Sequence, residues 1–98
     1  MQQVSLTPFE LVDRTFRCLS TYGYSNWSVT LDPDLNGAGK TSFETKTVHL
    51  HPDANWEVAI HEIAHVRLGQ FRVDFHDKEW ENLVKNMGGT PRTHYRKP

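Results

Sequence analysis

An α+β fold of one domain is predicted for this 98-residue chain, and three observations predict it. Apolar residues recur at helical spacing in three separate stretches. Two short segments instead alternate apolar and polar residues, the mark of half-buried strands. Glycine, asparagine and proline clusters separate these stretches. The expected layout is an N-terminal helix, a small sheet of about three strands (antiparallel or mixed), a second helix and a C-terminal helix. Residues 1–98 have the length for a single domain with one modest core.

The elements follow in chain order. Thr7-Pro8-Phe9-Glu10 opens the first helix, with Thr7 as cap, Pro8 in the first turn and Glu10 completing a capping box. Phe9, Val12, Phe16 and Leu19 mark its expected buried stripe, and Tyr22-Gly23 ends it. Trp27, Val29 and Leu31 alternate with Ser28, Thr30 and Asp32, which predicts a strand. A loop runs from Asp32 to Gly39, with Asn36-Gly37 its strongest turn signal. Thr41 to Thr45 is expected as a short strand around Phe43. Residues 46–51 form a better one, with Val48 and Leu50 toward the core. Pro52-Asp53 starts the second helix, where Asp53 is the expected N-cap and Glu57 suits the positive end of the dipole. Gly69 ends it. A connector follows, carrying Phe71, Val73 and Phe75. The third helix is expected over about 77–87, with Trp80, Leu83, Val84 and Met87 as its apolar face and Gly88-Gly89 as its stop.

The second helix carries the chemistry. Its residues 61–65 read His-Glu-Ile-Ala-His. Histidines four apart on a helix leave the same face one turn apart, so two imidazoles can share one metal ion. Glu62 then stands beside the ion rather than on it, in place to act as general base toward water. This is the arrangement of zinc hydrolases. Shuffling the six His and six Glu of the chain yields the pattern by chance roughly 2 % of the time. Context lowers that risk. Residues 56–68 contain no Pro or Gly, and Trp56, Ile60, Ile63 and Ala64 recur at helical spacing, with Ala59 and Val66 beside them. The competing reading is a surface helix with two incidental histidines.

A catalytic zinc normally takes three protein ligands and keeps a fourth position open. His76, where the connector meets the third helix, is the expected third ligand. Its rivals are Asp74, Asp77, Glu79 and Glu81, of which Glu79, one turn beyond, is the strong one. His49 and His51 alternate with Val48 and Leu50, so they are expected on the opposite strand face. His94 has no ligand spacing to anything.

Four segments resemble the SprT-like metalloprotease domain, the group that includes Spartan and is related to the WLM proteases. The resemblance runs from Trp27 to Gly89, about two thirds of the chain. Residues 27–31, Trp-Ser-Val-Thr-Leu, resemble the family's first strand. Asn36-Gly-Ala-Gly39 precedes a segment, Thr47-Val-His-Leu-His-Pro52, that is similar to the family's Ile-x-Leu-x-Pro strand. His61 to His65 matches the active-site helix. His76-Asp-Lys-Glu-Trp80 resembles the His-Gly-x-Glu-Phe/Trp element, which supports His76 over Glu79. Asp77 stands where the family has glycine, the connector from His65 to His76 is shorter than usual, and these 98 residues include no zinc ribbon or long DNA-binding extension.

This resemblance implies a zincin-like minimal core. It also implies a Zn²⁺ ion on His61, His65 and His76, Glu62 as general base, and a protein or peptide as substrate, with DNA-associated proteins as one such class. An oxyanion donor besides zinc is needed, for which Tyr22, Tyr24, His94 and Tyr95 are candidates. The segment Thr47–His51 is expected to offer a sheet edge along which an extended peptide pairs. Two alternatives stay open: a non-catalytic, zinc-stabilised module that binds DNA or protein, and a repressor-cleaving protease of mobile elements.

Composition narrows the rest. Cys18 is the single cysteine, which excludes an internal disulfide and any Cys₄ or Cys₂His₂ zinc ribbon. It falls within the apolar pattern of the first helix and is read as a buried small residue. The first residues lack the basic and apolar regions of a secretion signal, and no apolar run reaches membrane-spanning length. A cytoplasmic protein without a membrane partner is therefore expected. Formal net charge is -1, which gives no general attraction to nucleic acid. Residues 90–98 are expected to be an irregular tail. After Glu81 the only charges come from Lys85, Arg92, Arg96 and Lys97, so contact with phosphate is the alternative to a merely solvated terminus.

Overall fold

A computed structural model describes residues 6–69 and 78–90. Its elements are α1 (Pro8–Thr21), β1 (Ser28–Leu31), β2 (Gly39–Ser42), β3 (Thr47–Leu50), α2 (Trp56–Leu68) and α3 (Lys78–Asn86). The fold is α+β with three helices and a three-stranded mixed sheet, as the sequence predicts. The connector carrying Phe71, Val73 and Phe75, with His76, lies outside the described residues, as does the tail beyond Thr90.

The capping box forms as expected. Glu10 N–H donates to Thr7 Oγ1 at 3.2 Å, and Thr7 N–H donates to the Glu10 carboxylate at 2.8 Å. The buried stripe of α1 differs from expectation. Leu11, Thr15 and Leu19 turn inward, whereas Phe9 and Phe16 are 81 % and 40 % exposed. Spacing alone admits both stripes, because positions 9, 12, 16 and 19 and positions 11, 15 and 19 each recur at helical period and share Leu19. Thr15 is tolerated inside because its hydroxyl donates to the Leu11 carbonyl at 2.6 Å. Cys18 is half-buried rather than fully buried, packed at the margin of the core.

The strand order is β1-β3-β2, with β1 and β3 parallel and β2 and β3 antiparallel. Thus β3 is the central strand, and it buries Val48 and Leu50 completely. This overturns the expectation that Thr47–His51 offers a free edge, since both of its sides are already hydrogen-bonded. β2 also begins two residues earlier than expected, and Phe43 falls in the turn to β3, where its ring meets Trp27 edge-on at 5.2 Å. Tertiary pairing chose this register: Gly39 opposes Leu50 and Thr41 opposes Val48.

The helix α2 runs through the middle of the molecule. Its N-cap is Asn55, whose side chain accepts from Val58 N–H at 3.1 Å. Asp53, the expected cap, instead lies in the preceding turn, where its N–H donates to His51 Nδ1 at 3.0 Å. Residues 58–66 are buried on every side, so the single apolar stripe expected from sequence is really two. Ala59, Ile63 and Val66 join Leu11, Leu19, Val48 and Leu50 in a core against α1 and the sheet. Ile60 and Ala64 face the other way and meet Trp80 and Val84 of α3. After α3, Gly88 takes a left-handed φ of 84°, and Gly89 packs so tightly on α2 that a Cβ there would lie 2.8 Å from Ile60 Cγ2. Thr90 N–H then donates to the Glu57 carboxylate at 2.8 Å, which ties the chain beyond α3 to the first turn of α2.

Candidate metal centre

The sandwiched position of α2 decides the setting of its polar residues. His61, Glu62 and His65 are 7 %, 6 % and 5 % exposed, so the reading of a surface helix with incidental histidines does not hold. Burying three titratable side chains on one helix costs free energy unless each is compensated.

The two imidazoles point toward α3. Their Nε2 atoms lie 3.1 Å apart and their ring centroids 4.7 Å apart. Trp80 packs against both, with its ring centroid 5.0 Å from His61 and 6.0 Å from His65. Two nitrogens bound to one tetrahedral zinc at about 2.0–2.1 Å stand roughly 3.3 Å apart. The observed pair therefore fits a shared ion, and the donors are the right ones for zinc. Among the described residues no group of three or more His, Cys, Asp or Glu side chains gathers around a common point. His76, Asp74 and Asp77 lie outside those residues. Glu79 and Glu81 are in the first turn of α3, on either side of Trp80.

Glu62 is turned by its helical position toward the sheet. Thr41 Oγ1 of β2 donates to Glu62 Oε1 at 2.7 Å, and the same hydroxyl lies 3.3 Å from the Glu62 carbonyl oxygen. Burial pushes the Glu62 carboxyl up from its ordinary 4.5 to about 7, against the opposing pull of the Thr41 hydrogen bond. Gly39, two residues before Thr41 on the same strand face, permits the close approach. A Cβ there would stand 2.9 Å from Val58 Cγ1, 3.0 Å from Glu62 Cγ and 3.1 Å from Glu62 Oε2. Both β2 residues escaped sequence reasoning. Only the alternation of Gly39 and Thr41 hinted at a shared face, and nothing in it pointed to Glu62.

The remaining candidates scatter. His49 faces Asp32 across 3.9 Å and His51 faces Asp53 across 3.7 Å, on the opposite strand face from Val48 and Leu50. Tyr22 stacks beneath the Arg67 guanidinium at 3.8 Å, and Tyr24 packs at the edge of the core. His94 and Tyr95 lie outside the described residues. Compared with known proteins, the chain matches no family model, no curated protein and no solved structure. No helix among the described residues is long and apolar enough to cross a membrane.

Proposed function

We propose that this chain is a zinc-dependent endopeptidase of the SprT-like kind, acting on peptide bonds of protein substrates, of which DNA-associated proteins are one class. One observation carries the proposal. Two imidazole nitrogens stand 3.1 Å apart on a buried face of α2, while the intervening carboxyl is buried and hydrogen-bonded to the sheet. His61 and His65 hold the metal, and His76 completes the ligand set. A zinc ion bound there supplies Lewis acidity at neutral pH. Glu62 takes a proton from the attacking water and hands it to the leaving amine. Burial raises the proton affinity of the Glu62 carboxyl in the metal-free protein, the direction that favours its taking up a proton. Among the described residues β2 pairs only with β3, and its outer side, next to Glu62, is the proposed strand along which an extended peptide pairs.

Metal analysis with a casein cleavage assay tests this reading. Wild-type protein should carry about one zinc per chain, and Glu62→Gln should keep the metal and lose cleavage. His76→Ala should lose the metal while Glu79→Ala keeps it. Cleavage by Glu62→Gln at the wild-type rate removes Glu62 from the chemistry. The opposite result for His76→Ala and Glu79→Ala replaces His76 with Glu79.

A further inference from the structure

We infer that Thr41 is a positioning residue for Glu62, and that Gly39 clears the space in which the held carboxyl sits. The inference rests on the reading of Glu62 as general base. The two residues lie two apart on β2, hence on one face of the strand, and that face is pressed against α2. Thr41 Oγ1 is 2.7 Å from Glu62 Oε1. On the other side, the missing Cβ of Gly39 would stand 3.1 Å from Glu62 Oε2. One carboxyl oxygen is thereby engaged by a donor, and the other is left beside a residue with no side chain. A glutamate side chain has three rotatable bonds, so a fixed donor on one oxygen narrows where the second can carry a proton. Hydrogen bonds to a carboxylate are shorter and stronger than those between neutral groups. Lys40, between the two, is exposed, as strand alternation requires.

The hydroxyl, not the shape of the side chain, is the active element. Thr41→Val keeps the shape and removes the donor, whereas Thr41→Ser keeps the donor. With zinc-loaded protein and fluorescein-labelled casein as substrate, Thr41→Val should lower kcat about tenfold or more with KM unchanged. Thr41→Ser should recover most of that rate, and zinc content should stay the same in both. Wild-type kcat in Thr41→Val, or a loss in Thr41→Ser equal to that in Thr41→Val, overturns the inference while leaving the role of Glu62 intact. Glu62→Gln as active as wild type overturns both. If wild type does not cleave casein, a double-mutant cycle on the unfolding of metal-free protein decides. Thr41→Val and Glu62→Ala should then destabilise less together than the two separate losses imply, and simple additivity overturns the link. Thr41→Ala takes the place of Thr41→Val in every arm should the latter fail to fold.

Discussion

Removing the charge of Glu62 should change how stability depends on pH, and the buried setting fixes the sign. In the folded protein the Glu62 carboxyl releases its proton at about 7, against an ordinary 4.5. Between those values the folded state holds a proton that the unfolded state has lost, so stability falls as pH rises. At about 1.4 kcal/mol per pH unit, the gap between 4.5 and about 7 makes the ionised form cost about 3 kcal/mol, most of it accruing between pH 5 and 7. Glu62→Gln has no such proton to lose. In chelator-treated protein, urea unfolding followed by tryptophan fluorescence at steps from pH 5 to 8.5 should show the variant gaining on wild type by about 2–3 kcal/mol across the range. A difference that stays flat from pH 5 to 8.5 refutes the reasoning, because it means that Glu62 ionises as freely when folded as when unfolded. Zinc should reduce the slope, since a nearby cation favours the carboxylate.

Three further outcomes are expected. Asn55→Ala should cost about 1 kcal/mol through loss of the α2 cap, whereas Asp53→Ala should stay within about 0.5 kcal/mol of wild type; thermal unfolding separates the two caps. Gly39→Ala should destabilise by about 1–3 kcal/mol, because its methyl group would stand 2.9 Å from Val58 Cγ1 and 3.0 Å from Glu62 Cγ, so that a buried side chain must shift to admit it; a variant as stable as wild type in urea would show that β2 stands further from α2. Trp80→Ala should cost about 3–5 kcal/mol by emptying the space between α2 and α3, and should weaken zinc binding measured with a competing chelator. Unchanged zinc affinity would mean that Trp80 fills volume without steering His61 and His65.

Local patterns recorded in the chain were read correctly where one interaction dominates. The capping box of α1 involves residues three apart, so Thr7 and Glu10 declare it without help from the rest of the fold. The ends of α1 and α2 were also legible, since Gly23 and Gly69 supply the positive φ that other residues avoid. Where two local patterns compete, tertiary contacts decide. Asn55 and Asp53 are both good caps, and packing of Trp56 and Val58 selects the first. Phe9 and Phe16 make as regular a stripe as Leu11, Thr15 and Leu19, and the position of the sheet selects the second.

By itself the sequence determined the class of fold, the presence of the His-Glu-x-x-His helix and the one-turn spacing of its imidazoles, because each of these is set by residues within a few positions of one another. Tertiary structure alone decided that β3 is the middle strand, that α2 is covered on two sides, and that Thr41 and Gly39 of β2 meet Glu62. Thr41 and Glu62 are 21 positions apart in the chain, and Val29 and Val48, partners across β1 and β3, are 48 − 29 = 19 apart. Side-chain periodicity says which face a residue occupies, but not which other face it will be pressed against.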